Sequence, residues 1–261
     1  MDILLCDPEK INVFASIFQH IKVFTETINI IFYKDKVFMQ SMDSSHVTVF
    51  EITLPAVWFD KYIHQGETPH TLGLHSSILF RILNARDKTH KINIIYDTEE
   101  VDKLYLHFTS DKKAEFDKRF EIILIELETE YMEIPEIEHE AEFTLDSFNF
   151  ANIINQLKMF GDNLSIKCSE EDIVLYSSSQ DQGKMFVNIK IDDLTTFVIN
   201  EGSNIELSFS LAYLHNICLY NKLSKEIDIK IAKDYPMKIV YRIAGHDDAN
   251  MTFYLAPKLD D

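Results

Sequence analysis

The sequence predicts an α+β protein made of two similar halves, each with two helices packed on antiparallel sheets. Three observations carry that expectation. Four amphipathic helix patterns begin at intervals of roughly 65 to 70 residues. Runs in which apolar and polar residues alternate fill the spaces between them, the period of strands. Only 6 Gly and 6 Pro occur in 261 residues, which argues against a propeller, a collagen-like chain or a loop-rich scaffold. Short turns between consecutive strands imply antiparallel sheets with the helices on one face.

Taken in order, the first helix opens with Asp7 as N-cap and Pro8 at its first position. It sets Ile11, Phe14, Ile17, Phe18 and Ile21 on one face and Asn12, Ser16, Gln19 and Lys22 on the other. The second runs over about Ser76 to Ala85, burying Ile78, Leu79, Ile82 and Leu83 and showing Arg81 and Asn84. Asp146 or Ser147 caps the third, in which Phe150, Ile153, Ile154 and Leu157 face inward and Asn152, Asn155, Gln156 and Lys158 outward. The fourth covers about Leu211 to Leu223, with Leu214, Ile217 and Cys218 against Asn216 and Lys222. Lys91–Tyr96, Lys103–Phe108, Met185–Lys190 and Lys238–Ile243 alternate as strands. The expected division is 1–121, a connector over 122–138, and 139–261. The segment Glu126–Glu138, dense in charge and holding one proline, reads as an exposed extended chain.

A hydrophobic share of 46%, with 19 Phe and 11 Tyr, excludes disorder. No basic segment precedes a long apolar run at the N-terminus, and no window reaches the ~20 apolar residues of a membrane span, so a soluble intracellular protein with no membrane partner is expected. Cys6, Cys168 and Cys218 form no C-x-x-C pair and read as reduced thiols. No Gly-rich phosphate loop, nucleophile elbow, H-E-x-x-H or paired-cysteine motif is present. His139-Glu140-Ala141-Glu142 lacks a second histidine at metalloprotease spacing, and Gly245-His246-Asp247-Asp248 reads as a polar turn. No catalytic residue, metal or cofactor is therefore expected.

The charge pattern is more informative. The chain carries 43 Asp and Glu against 25 Lys and Arg, net -18. Yet Lys10–Thr25, Thr68–Arg86, Ser147–Gly161 and Leu207–Lys225 contain no acid at all, where average frequency would place roughly eleven. Each stretch holds one helix pattern, and its charges are all positive: Lys10, Lys22, Arg81, Arg86, Lys158, Lys222 and Lys225, beside His20, His75 and His215. Solvated helix faces ordinarily mix both signs, so this pattern points to four helices facing a polyanion. Against that stands the net charge, which repels nucleic acid unless something other than affinity holds it.

Ser41-Met42-Asp43-Ser44-Ser45-His46-Val47, the connector residues Met132-Glu133-Ile134-Pro135, and Tyr254-Leu255-Ala256-Pro257-Lys258 together resemble the eukaryotic-type sliding clamps, the proliferating cell nuclear antigen family. The resemblance in element order spans essentially the whole chain. It implies the sliding-clamp fold and a homotrimer, three chains closing a ring around duplex DNA. Twelve helices spaced about 9 Å apart round a circle leave a hole of about 24 Å, whereas eight leave about 13 Å, too narrow for a duplex. A closed ring removes the charge conflict, because topology holds the DNA and the bore only has to avoid repelling phosphate.

By the same resemblance, Lys22, Arg81, Arg86, Lys158, Lys222 and His20 face the DNA channel. Ala15, Ser16, Asn84, Asn152, Asn155 and Ala212 stand where the family carries basic residues, which implies weaker direct affinity for DNA and greater dependence on a clamp loader. Glu170 occupies the place of a lysine that the family modifies with ubiquitin-like proteins. A groove for partner peptides bearing a Gln-led aromatic turn is walled by Met42, His46, Val47, Val49, Met132, Ile134, Pro236, Tyr254, Leu255, Ala256 and Pro257. Subunit contacts fall on edge strands, roughly Ala114–Leu124 and Gly183–Ile191. The function implied is a processivity factor that tethers DNA polymerase and repair proteins, in the nucleus or, for a viral protein, at its replication site in the host cell. The alternative is a clamp-like scaffold or mixed-ring subunit that binds peptides without encircling DNA as a homotrimer.

Overall fold

The computed structural model describes residues 1–113, 115–128, 131–244 and 246–258. Ala114, at the start of one expected edge strand, Thr129 and Glu130 in the connector, and Gly245 in the polar turn lie outside the described residues. The chain forms two compact units. The first comprises Met1–Ser44, Glu51–Met132 and Ile243–Met251, and the second Ser45–Phe50, Glu133–Arg242 and Thr252–Asp261.

In the first unit the elements run β1 (Asp2–Leu5), α1 (Pro8–Ile21), β2 (Thr27–Phe32), β3 (Lys36–Met42), β4 (Thr48–Pro55, belonging here from Glu51), a 3-10 turn (Ala56–Trp58), β5 (Lys61–Ile63), β6 (His70–His75), α2 (Ser76–Asn84), β7 (Lys91–Ile95), β8 (Lys103–Thr109) and β9 (Lys118–Ile123). The second repeats that order: β10 (Ala141–Asp146), α3 (Ser147–Leu157), β11 (Asn163–Cys168), β12 (Asp172–Ser179), β13 (Gly183–Lys190), a 3-10 turn (Ile191–Asp193), β14 (Thr196–Ile199), β15 (Ile205–Ser210), α4 (Leu211–Cys218), β16 (Glu226–Ile231), β17 (Met237–Arg242) and β18 (Asn250–Leu255). Hydrogen-bonded order repeats as well. One sheet runs β5-β1-β7-β8-β9 in the first unit and β14-β10-β16-β17-β18 in the second. The other runs β4-β3-β2-β6 and β13-β12-β11-β15.

Local chemistry explains the helix starts. Asp7 accepts a hydrogen bond from Glu9 N at 2.8 Å, and Pro8 needs no donor at the first position. Asp146 is the cap of α3, accepting from Asn149 N at 2.7 Å. Ser147 turns its hydroxyl elsewhere, to Asn221 O at 2.9 Å and Ser224 O at 2.6 Å. Each helix pair lays its apolar side on strands. In the first unit Phe14, Phe18 and Leu79 meet Ile30, Met39, Ile94 and Leu106 around one small void.

Two differences from expectation have physical causes. The fourth helix ends at Cys218, not near Leu223. Beyond it the chain continues in i to i−3 turns, with Leu219 N on Asn216 O, Tyr220 N on Ile217 O and Leu223 N on Tyr220 O. Such turns keep Tyr220 and Leu223 buried, so the apolar pattern outlasts the α-helix. The connector contains no helix among its described residues, but it is not a free strap. Ile125 N donates to Gly73 O at 2.9 Å, and a Cβ at Gly73 would stand 2.3 Å from Ile125 O, so only glycine admits this approach. After it, Leu127, Met132, Ile134 and Ile137 are half-buried while Glu126, Glu128, Glu133, Glu136 and Glu138 point to solvent.

Candidate functional site

The helix pairs form the first candidate surface. In the first unit α1 packs beside α2, and the exposed residues of this face include Asn12, Gln19, Lys22, Ser77, Arg81 and Asn84. In the second, α3 packs beside α4 and exposes Asn149, Asn155, Gln156, Lys158 and Ala212, with Lys222 just past α4. The absence of acids along these stretches thus becomes exposed surface holding neutral amides, scattered cations and the apolar Val23, Phe148 and Met159, with Glu9 exposed in the first turn of α1.

The six channel residues divide by what holds them. Lys22 and Lys158 are the C-caps of α1 and α3, where a cation also meets the negative end of the helix dipole, and both are exposed. Arg81 and Lys222 are likewise exposed, and His20 is half-buried in the last turn of α1. Arg86 is different: it is half-buried, donating to Leu83 O and to Asn12 Oδ1, each at 2.7 Å, and burial lowers its pKa. It joins α2 to α1 before it can serve a ligand. Lys10 is also engaged, donating to Trp58 O at 2.7 Å with its ammonium 5.7 Å from the Trp58 ring. In the second unit His215 Nδ1 lies 2.7 Å from Asn155 Oδ1, joining α4 to α3. Burial, then Lys158, lowers the His215 pKa, so its imidazole is largely neutral at pH 7.

The expected groove residues fall into two sets. In the first unit Met42 and Met132 line a cleft of about 310 Å³ together with Phe38, Gln40, Leu127 and Tyr131. Gln40 grips the connector by two hydrogen bonds, Nε2 to Met132 O at 2.8 Å and Met132 N to Oε1 at 2.9 Å. Tyr131 lies on Phe38, ring centroids 6.0 Å apart. None of Gln40, Phe38 or Tyr131 is marked in the sequence, because the Gln40 pairing spans 92 positions. In the second unit Val47 O accepts from Ala256 N at 3.0 Å, bringing the Ser41–Val47 motif and the Tyr254–Lys258 segment together. Val47, Val49, Ile134, Tyr254, Ala256 and Pro257 are half-buried, and His46 and Pro236 are exposed. His46 has φ 58, a left-handed conformation in which His is among the commoner non-glycine residues. Leu255 is a correction: it is 0% exposed, because strand alternation turns its side chain into the core.

Other reactive groups are quiet. Burial pushes the Cys168 thiol up to about 11 and Cys218 to about 12, and Cys6 is raised by burial and by Asp60. All three stay protonated near pH 7 and are poor nucleophiles. Among the described residues no group of three or more His, Cys, Asp and Glu is placed to hold a metal ion. No helix among them is long and apolar enough to cross a membrane.

Two copies of one element order, each a helix pair on antiparallel sheets, define the sliding-clamp fold. Residues 8–131 match the N-terminal domain of proliferating cell nuclear antigen, and residues 133–258 match its C-terminal domain. The chain belongs to the proliferating cell nuclear antigen family, the DNA sliding clamps, and both matches meet at Met132, inside the connector.

Proposed function

We propose that three copies of this chain close a ring around duplex DNA and tether a DNA polymerase and repair proteins to it, in the nucleus or at a viral replication site. The observation that carries the reading is the internal repeat at the sheet edges. Within the second unit, β18 lies between β17 and the Thr48–Phe50 part of β4. The counterparts of β18 and β4 in the repeat are β9 and β13. Each of these has a single strand neighbour among the described residues, β8 and β12 respectively. Exposed Ile123 and Phe186 mark the two edges. Pairing β9 of one chain with β13 of the next satisfies both and removes edges that otherwise invite aggregation. Repeated head to tail, the contact closes a ring of three when each step turns by about a third of a circle.

The acid-free helix faces suit a bore that DNA slides through, and the net charge of -18 keeps DNA off the rest of the surface. Partner peptides are assigned to the Met42–Met132 cleft and to the Val47–Ala256 set. Methionine adapts to varied side chains, and extended backbone offers hydrogen bonds to a peptide. No catalytic activity is assigned to the chain.

The test is topological. The protein is loaded on closed circular duplex by a clamp loader with ATP, and the circle is then linearised. Retention on circles and release from cut ends is expected. Retention unaffected by cutting rejects encirclement and favours the scaffold alternative. Ile134→Ala is expected to weaken binding of a Gln-motif peptide, read by fluorescence anisotropy, and unchanged affinity places the groove elsewhere.

A further inference from the structure

Among the described residues the sheets end in six outer strands, β5, β9, β14, β6, β13 and β15. β9 and β13 are assigned to each other across the proposed subunit contact. β6 takes the connector, through Ile125 N on Gly73 O at 2.9 Å, and β15 takes Lys258 N on Ser208 O at 2.7 Å. β5 is three residues long and guarded by exposed Lys61, while its Tyr62 hydroxyl donates to Tyr33 O at 2.6 Å. β14 alone has neither cover nor guard among the described residues. Its Thr196-Phe197-Val198-Ile199 contains no lysine, proline or glycine, and Val198 is 62% exposed.

Register shows which groups this edge offers. Thr196 and Val198 stand opposite Thr144 and Glu142 of β10, and Asn200 N, in the same phase, donates to Glu140 O at 2.9 Å. Ladder groups alternate in direction, so Phe197 and Ile199 turn their N–H and C=O outward. Those groups have no partner among the described residues. Side chains alternate too: Phe197 and Ile199 are half-buried, leaving Thr196 and Val198 exposed on the other face. Charge then selects the occupant. From Ile191 to Asn204 the chain holds Asp192, Asp193 and Glu201, all exposed, and no Lys or Arg. Acids beyond both ends of the strand repel a second copy of the same edge and attract a basic one.

We propose that β14 is a docking edge for an extended basic segment of a partner protein, which joins the sheet as its outermost strand. Backbone bonds to Phe197 and Ile199 supply the pairing, and an apolar partner residue lies against Val198. Lysines or arginines of the segment meet Asp192, Asp193 and Glu201. The site shares no residue with the Met42–Met132 cleft or the Val47–Ala256 set, and it does not depend on closure of a ring.

The experiment titrates a fluorescein-labelled hexapeptide of alternating Lys and Val with the purified protein, read by anisotropy at about 0.1 M salt. Saturable binding is expected, with the same peptide bearing Glu in place of Lys at least about tenfold weaker. Val198→Lys, a change on the exposed face, is expected to weaken binding about tenfold. Val101→Lys makes the same change in charge at a site 65% exposed in the first unit and is expected to bind as the parent does. Backbone pairing has its own signature, slower amide exchange at Phe197 and Ile199 in the complex. Ile199→Pro removes one outward donor and is expected to weaken binding about tenfold, with its thermal midpoint measured to detect a loss of fold. Absence of saturable binding, equal losses in Val198→Lys and Val101→Lys, or binding without protection of Phe197 and Ile199 overturns the proposal. Displacement by a Gln-motif peptide overturns it as well, since the basic segment then occupies the groove. Retention on closed circles reports on the ring alone, so failure of the proposed function and failure of this docking edge are read separately.

Discussion

The two units solve one packing problem with different residues. In the first, α1 has 14 residues and α2 has 9; in the second, α3 has 11 and α4 has 8. The helix pair is joined by Arg86 and Asn12 in one and by His215 and Asn155 in the other. A buried serine hydroxyl ties one helix start to the turn after its neighbour in both. Ser76, at the start of α2, donates to Thr25 O or Glu26 O, both 3.0 Å away past α1, and Ser147 of α3 bridges to Asn221 O and Ser224 O past α4. The helix that supplies the serine is the second of its pair in one unit and the first in the other. What the repeat preserves is the need to satisfy helix-end backbone groups and to bury one apolar stripe, not the identity of the side chain that does so.

The largest expected effect breaks one core and spares the other. Phe18 and Phe150 are 0% and 1% exposed, on α1 and α3, and each change to alanine is expected to cost about 3–5 kcal/mol. Trp58, the single tryptophan, sits in the first unit, so its fluorescence follows that unit while circular dichroism follows both. Phe18→Ala is expected to lower the Trp58 transition, and Phe150→Ala to lower the dichroism transition ahead of it. If either variant shifts both probes together, the halves unfold as one.

A smaller contrast lies at two glycines. Gly73→Ala is expected to cost about 1–3 kcal/mol and to make the connector more susceptible to protease, because the new Cβ meets backbone oxygen. Gly161→Ala meets Ser177 Oγ and Ser178 O, each at 2.8 Å, and is expected to cost less, since its backbone clash is at 2.8 Å where that of Gly73 is at 2.3 Å. Denaturation midpoints and limited proteolysis compare the two. Ser76→Ala and Ser147→Ala are expected to match each other at about 1 kcal/mol, and unequal losses would show that the two ties are not equivalent.

The mildest test is pH. Burial lowers the pKa of His64 and His107 in the first unit and of His139 and His215 in the second. A lowered folded pKa means the unfolded chain binds more protons. The stability these groups contribute is therefore complete above the unfolded value of about 6.5 and falls as pH drops through it toward the folded values. Thermal midpoints are expected to decline between about pH 7.5 and pH 5.5, with His215→Gln reducing the decline, while the Arg86 tie stays charged throughout.

Much of this was legible in sequence because it rests on local periodicity. Ile11, Phe14, Phe18 and Ile21 recur at helical spacing and are buried, and Lys103–Phe108 alternates and is β8. The acid-free stretches became exposed helix faces, since a 3.6-residue repeat fixes which side chains share a face. Leu255 was misplaced because a motif match carries a position but not the direction of its side chain. Arg86 and Lys10 read as free cations because the carbonyls of Leu83 and Trp58 and the amide of Asn12 are known as their partners only once the chain has folded.

The sequence by itself determined where the four helices begin, the alternation of several strands, the twofold repeat and the family, because local periodicity and short motifs carry each of them. Only the tertiary structure decided which cations are spent on packing and how Gln40 holds Met132 across 92 positions. Those outcomes depend on distances between residues far apart in the chain, and pattern carries no information about a distance until backbone hydrogen bonds and close packing have set it.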